Sequence, residues 1–385
     1  MIYLDNAATT PIFDSVNKLV YEINDKYFFN PSALYDSAVE AKKLFNQAKN
    51  GVAQNLGAND DNLIFTSGAT ESNNLAIFGF LTGKKDAEYI FAGGEHPSVN
   101  DVANQLKMQG KIVKFLPLET DGTISCETLK GALSPNTHFV SIMHVSNETG
   151  AINDIESLCK IAKEYNKNII FHSDGTQAFG KIGVNVQKLG VDAYTISSHK
   201  FHGPKGVGAL YVKNISKIKP LFYGGGQQDG HRSGTENLSG ICGMALASDI
   251  VAKNLAENYS KINALRDYVK QEILSNCTDV IFNEGKQNSP YILSVSFKNL
   301  RGEVLLHMLD KCGIIIGVGS ACSSKKQDNR VLAQMGIKRE YLLGSIRISF
   351  SSFNTPEEIK QATKIIIEQV NLLKEKMGKW KMLFW

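Results

Sequence analysis

The sequence predicts an α/β fold, with a large domain built on a mostly parallel sheet flanked by helices and a smaller α+β domain. Three observations carry this. Short apolar runs alternate with helix-like segments through the middle of the chain, the pattern of βαβ units. After about Ser239 the alternation gives way to long helical stretches with fewer strands between them. The length, 385 residues, is enough to bury a large core and to divide into more than one domain. We expect residues 15–255 to form the large domain, and residues 1–14 with 256–385 the small one.

Taken in order, Leu63-Ile64-Phe65 is strand-like, and residues 89–92, 112–116, 139–143, 169–172 and 193–196 repeat the character. Uninterrupted apolar runs of this length suit strands covered on both faces. Residues 155–165 read as a helix between two of these strands, with Asp154 as its N-cap. Beyond Ser239 a single helical stretch is expected to about Ser275, then a strand at 292–297 and a helix at 303–311. Strands follow at 314–318 and 346–350, and a last helix opens at Thr355-Pro356-Glu357-Glu358, a threonine cap with proline at the first helical position. The tail, Trp380-Lys381-Met382-Leu383-Phe384-Trp385, is apolar for a terminus and reads either as docked on the body or as a contact for a partner.

Composition narrows the function. A formal charge of +4 is small for this length, which argues against nucleic acid as the main ligand. No apolar run approaches the roughly 20 residues that cross a bilayer. The start, Met1-Ile2-Tyr3-Leu4-Asp5, carries neither a basic n-region nor an apolar h-region, so no secretory signal and a cytoplasmic location are expected. Six cysteines are scattered without a C-x-x-C pair, a spacing that supports neither a zinc site nor a disulfide framework, and no metal is expected.

The chemistry concentrates at strand ends. Ser197-Ser198-His199-Lys200 follows the run 191–196, and in open α/β sheets the carboxyl ends of strands are where ligands bind. A lysine there suits Schiff-base formation with a carbonyl compound, pyridoxal phosphate among them. Thr66-Ser67-Gly68-Ala69-Thr70-Glu71 is a small-residue turn after a strand. It offers either free backbone N–H groups for a phosphate, with the Thr70 and Ser197 hydroxyls beside them, or a plain capped helix. Asp174, two residues past the run 169–172, could hold a pyridinium nitrogen protonated or cap a loop. His96, in Glu95-His96-Pro97-Ser98, could stack on a flat ring and handle protons, and Asn147 offers an amide donor. Cys322 lies among Gly, Ser and Ala with Lys325 and Lys326 following, a setting that favours an exposed thiolate. Arg347, mid-strand between apolar neighbours, needs a partner, which is either a substrate carboxylate or a structural carboxylate.

Together these segments resemble the cysteine desulfurases of the NifS/IscS type, in the class V aminotransferase group of fold-type I pyridoxal-phosphate enzymes. The blocks that carry the resemblance run in order from Leu4-Asp5-Asn6-Ala7-Ala8-Thr9-Thr10-Pro11 through Asn30-Pro31-Ser32, residues 65–75, Glu95-His96-Pro97-Ser98-Val99 and Asn147-Glu148-Thr149-Gly150. They continue through 174–177, 197–211, Gly224-Gly225-Gly226-Gln227, Arg232-Ser233-Gly234-Thr235, 319–324 and Ser345-Ile346-Arg347. The resemblance implies that Lys200 holds the cofactor, that Asp174 pairs with the ring nitrogen, that Gln177 contacts the ring hydroxyl and that His96 stacks on the ring. It implies a phosphate site made by Ala69, Thr70, Ser197 and His199, with Thr235 reaching in from the other subunit of a homodimer. Asn30, Asn147 and Arg347 would hold the substrate carboxylate. Lys200, His96 and Cys322 are the catalytic residues by the same likeness.

The implied reaction converts L-cysteine to L-alanine and leaves a persulfide on Cys322. A sulfur-acceptor protein, either an iron–sulfur scaffold or a tRNA- or cofactor-thiolation protein, would then take the sulfur. Alternatives on the same fold are a selenocysteine lyase and a small-amino-acid aminotransferase, and a transaminase has no use for a mobile thiol. A non-catalytic scaffold that kept the fold is the other alternative. The chain departs from the family pattern at Tyr35 and Ser37, where His and Gly are common, and at Gly175, where Ala is common.

Overall fold

The computed structural model describes residues 1–318 and 330–383, and only the backbone from residue 378 onward. Its strands are β1 (Ile2–Leu4), β2 (Leu63–Thr66), β3 (Glu88–Ala92), β4 (Ile112–Leu116), β5 (Thr137–Ser141), β6 (Ile170–Asp174), β7 (Ala193–Ser197), β8 (Gly208–Val212), β9 (Val280–Phe282), β10 (Ile292–Phe297), β11 (Ile314–Ile316) and β12 (Ser345–Ser349). Its helices are α1 (Asp14–Lys26), α2 (Asp36–Leu56), α3 (Ala69–Gly79), α4 (Pro97–Met108), α5 (Cys126–Ala132), α6 (Ile155–Tyr165), α7 (Val186–Leu189), α8 (Leu238–Lys253), α9 (Leu255–Asn276), α10 (Gly302–Lys311), α11 (Arg330–Gln334), α12 (Arg339–Leu342) and α13 (Pro356–Leu383).

The predicted α/β architecture is present. Seven strands form one sheet in the order β2-β8-β7-β6-β5-β3-β4. All its pairings are parallel except those of β8, which runs antiparallel to both β2 and β7. Successive side chains on these strands serve opposite faces. Phe65, Ile90, Val140, Phe171 and Tyr194 join one buried cluster, while Ile64, Tyr89, Phe139, Ile170 and Ala193 join another. Burial on both faces explains why these runs read as continuous apolar stretches; β4, at the sheet edge, differs from expectation in leaving Ile112 and Phe115 exposed. A second, antiparallel sheet has the order β12-β10-β9, and β1 pairs in parallel with β11. Ile2 and Leu4 pack in a third buried cluster with residues of α9, β10, β12 and α13.

Several predicted elements differ in detail. The helical stretch after Ser239 is two helices, α8 and α9, meeting at Asn254. There Asn254 Nδ2 donates back to the Ile250 carbonyl at 2.8 Å, a local bond that competes with helix continuation. Strand β8 was not among the expected strands, nor were the three-residue β1 and β9. The caps follow the sequence closely. Asp154 Oδ1 accepts from the Ser157 amide at 3.1 Å, and Thr355 Oγ1 accepts from the Glu358 amide at 3.2 Å while Glu358 accepts in return from the Thr355 amide. The side chains of the tail, Trp380 to Trp385, lie outside those described.

Candidate active site

Because β2, β3, β5, β6 and β7 run the same way, their carboxyl ends share one edge of the sheet. Leaving those ends are Thr66, Glu95-His96, His144 to Asn147, Asp174 and Ser197 to Lys200. The N-terminal segment 5–11 crosses the same edge. Thr10 donates through its amide to the His199 carbonyl at 3.0 Å and accepts on Oγ1 from the His202 amide at 2.8 Å. Lys200 closes the short turn after β7, and its Nζ donates to the carbonyls of Ala7 and Ala8, both at 2.7 Å.

Asp174 ends β6, beside β7, and is buried. Its Oδ1 accepts from the Thr176 amide at 2.9 Å, and its Oδ2 accepts from Asn73 Nδ2 at 2.8 Å. Asn73, on α3, also donates to Ser98 Oγ at 2.8 Å. Ser98 lies 2.9 Å from His96 Nδ1 through its hydroxyl and donates its amide to that nitrogen at 3.1 Å. Two donors on Nδ1 assign the ring proton to Nε2. Burial, opposed by Asp174 and assisted by Lys200, pushes the His96 imidazole below its ordinary range, so the ring is held neutral. Asp174, Asn73, Ser98 and His96 are thus one bonded chain.

Sequence reasoning assigned no role to Asn73 or Ser98. A polar residue at a buried position of a short apolar helix was the only signal for Asn73.

Gln177 follows one turn after Asp174. Its Nε2 donates to the Ala7 carbonyl at 2.8 Å, and its Oε1 accepts from Lys181 Nζ at 2.5 Å. Arg347 on β12 is ion-paired to Asp5 through Nη2 at 2.7 Å, and its Nη1 donates to the Asn147 carbonyl at 2.8 Å. Its Nε is buried without a partner. The structural carboxylate therefore exists, and the guanidinium packs against Gly317, where a Cβ would stand 3.0 Å from Nε.

Helix α3 starts without a side-chain cap. Its N-cap is Gly68, whose φ of +152° is a glycine conformation, so the first amide donors of α3 have no side-chain oxygen to serve. A Cβ on Gly68 would stand 3.8 Å from Ser197 Oγ, which puts that buried hydroxyl at the helix start. A Cβ on Gly208 would meet Gly68 Cα at 2.6 Å, so glycine on β8 is what lets this turn lie against the sheet. His199 Nδ1 lies 3.1 Å from Thr9 Oγ1, and burial with the nearby lysines brings its imidazole down to about 4.

Not every expected residue joins this group. Asn30 is exposed and its Oδ1 accepts from the Ser32 amide at 2.9 Å, a local loop bond. Thr235 is exposed in a separate groove of about 450 Å³ lined by Phe222, Tyr223 and Arg232 among others. Cys322 lies outside the described residues. Gly175 has a packing reason: a Cβ there would stand 2.0 Å from Cε1 of Tyr194, whose hydroxyl is 2.7 Å from His144 Nδ1.

An amine and a buried carboxylate at neighbouring strand ends, an uncapped helix start and a neutral imidazole bonded through Ser98 and Asn73 to that carboxylate define a fold-type I pyridoxal-phosphate site. The donor set fits that cofactor: Lys200 for its aldehyde, the α3 amides and Ser197 for its phosphate, and Asp174 for its ring nitrogen. The class-V aminotransferase family model matches residues 2–362, and the chain belongs to that family. The chain is similar to Cysteine desulfurase IscS of Dictyoglomus turgidum, 38% identical over 99% of this chain and 98% of that one. It is 36% identical to Cysteine desulfurase IscS of Clostridium botulinum over 99% and 97%. Among solved structures, a NifS-like protein superposes with a TM-score of 0.90 at 34% identity, covering 97% of this chain and 100% of the other. The structure described as SspA in complex with cysteine superposes at 0.81 with 30% identity, over 92% and 100%.

Proposed function

We propose that, in this pyridoxal-phosphate-dependent cysteine desulfurase, the residues at the carboxyl edge of the sheet divide the work as the resemblance implies, with Cys322 as the sulfur acceptor. The observation that carries this is the placement of Lys200 Nζ, beside the strand end where two hydrogen bonds hold Asp174. When bound, the cofactor supplies a sink for the electrons released at the substrate's Cα. Lys200 holds the cofactor and afterwards takes and returns a proton at Nζ. Asp174, held in place by its two donors, would accept a hydrogen bond from the ring nitrogen of the bound cofactor. His96, neutral with its proton on Nε2, would lie against the ring of the bound cofactor. Thr70, Ser197, His199 and the Ala69 amide take the phosphate, and Gln177 takes the ring hydroxyl. Arg347 and the loop at Asn147 bind the substrate carboxylate, with Asn30 closing from its own loop.

The sulfur step balances within the chain and its substrate. Sγ of Cys322, as thiolate, bonds to the substrate sulfur and the carbon–sulfur bond breaks. Carbon keeps that electron pair and gains a proton to give alanine, and Cys322 is left as a persulfide. An acceptor protein, an iron–sulfur scaffold or a thiolation protein, then takes the outer sulfur.

We read the chain as two domains, 15–255 and 1–14 with 256–385, a division supported by the separate buried cluster that joins β1 to α9 and β12. We read it as a homodimer, supported by the exposed Phe222 and Tyr223 beside Thr235. Among the described residues no helix is long and apolar enough to cross a membrane. The five described cysteines are all free thiols, which supports a cytoplasmic location.

Purified protein given cysteine and a reductant should release alanine and sulfide in equal amounts. Cys322→Ser should keep the cofactor colour and lose this turnover. Full turnover by that variant, or alanine formed with no sulfur transferred, overturns the proposal.

A further inference from the structure

Lys181 is a buried lysine that the reaction as described leaves unused. Its Nζ donates to Gln177 Oε1 at 2.5 Å, and the other end of that carboxamide donates to the Ala7 carbonyl at 2.8 Å. The same carbonyl accepts from Lys200 Nζ at 2.7 Å. Two amines are therefore joined through one side-chain amide and one backbone oxygen. The geometry points to Lys181 as a positioning residue of the desulfurase reaction, which from outside the cofactor site fixes the orientation of the Gln177 carboxamide and, through Ala7, the seat of the Lys200 amine.

The physical reason lies in donor and acceptor counts. An amide can turn over and exchange its oxygen for its nitrogen with little change of shape. In its charged form Lys181 is donor-only and can face nothing but Oε1, and the Ala7 carbonyl, an acceptor, takes Nε2 on the other side. With a side chain lacking N–H at 181, the Ala7 carbonyl alone holds the carboxamide, and an amide that turns brings its oxygen to the Lys200 side, where an acceptor favours a charged Lys200 nitrogen. Lys181 also acts by charge. The cations acting on it are Lys200 and Arg347, His199 and His202 feel it in turn, and the Tyr291 ring lies 5.9 Å from its Nζ. Burial first, and then Lys200 and Arg347, bring Lys181 down to about 7, so its charge is finely balanced near neutral pH.

This inference rests on Lys200 and Gln177 being the cofactor-site residues proposed above. The test uses holoenzyme and reads the pH midpoint of the bound cofactor's visible absorbance, together with the mass of the borohydride-reduced Lys200 peptide. Lys181→Met should raise the midpoint by roughly one pH unit, about a tenfold change in the protonation equilibrium. Lys181→Arg, which keeps the donors and the charge, should leave it at or below the wild-type value. Lys181→Leu serves in place of the methionine variant if that one does not fold, and should likewise raise the midpoint. An unchanged midpoint in the methionine or leucine variant, or the same rise in all variants, overturns the inference while the reduced Lys200 peptide still stands. Absence of cofactor mass on the Lys200 peptide of the wild-type protein instead overturns the function proposed for the site.

Discussion

Stability should depend on pH through Lys181 in a way that one substitution removes. The lysine titrates at 10.5 in an unfolded chain and at about 7 in the fold, where burial and the cations Lys200 and Arg347 disfavour its charge. Between those two values the unfolded chain binds a proton that the folded chain does not. Stability attributable to this group therefore rises as pH rises through the window and is lowest at its acid end. Holding the amine in the fold costs roughly 4 kcal/mol at pH 7 and roughly 2 kcal/mol at pH 9, so the change over that interval is about 2 kcal/mol.

The assay is urea unfolding of cofactor-free wild-type protein and of Lys181→Met at pH 7, 8 and 9. Titrating groups on which Lys181 does not act cancel in the difference between the two proteins. The variant should be the more stable at pH 7, and the gap should narrow by about 2 kcal/mol at pH 9. Parallel stability curves for the two proteins would mean that Lys181 is charged in the fold across the whole range, and the desolvation reasoning would be refuted.

Gly175→Ala should lower the melting temperature, because the new Cβ would stand 2.0 Å from Tyr194 Cε1; overpacking of this kind costs about 1–3 kcal/mol. Adding Tyr194→Leu should recover most of the loss, and a variant as stable as the parent would show that the ring moves freely. Asn73→Ala removes the donors to both Asp174 and Ser98, and a bond to a charged acceptor is worth about 1.5–3 kcal/mol. The variant should release pyridoxal phosphate faster on dialysis, Asn73→Asp should release it faster still through like-charge contact with Asp174, and wild-type retention in both would remove Asn73 from the site.

The apolar runs at 89–92, 139–143 and 193–196 were readable as strands because both faces of the sheet are covered, which erases the polar alternation of a half-exposed strand. Caps such as Asp154 and Thr355 were readable because they act within a single turn. Strand β8 was not read as a strand, since its antiparallel place between β2 and β7 depends on glycine at 208 fitting beside Gly68, a contact between segments 140 residues apart in sequence. The break at Asn254 was missed because an asparagine is compatible with either a helix interior or a helix end.

By itself, then, the sequence determined the strand ends and the reactive side chains they carry, because hydrophobic period and turn chemistry are local properties. Tertiary structure decided which of those side chains touch. Only folding sets Asn73 against Asp174, Asp5 against Arg347, and Gln177 against Ala7. Hydrogen bonds act over about 3 Å, and no spacing along a chain specifies a distance that short between residues of different elements.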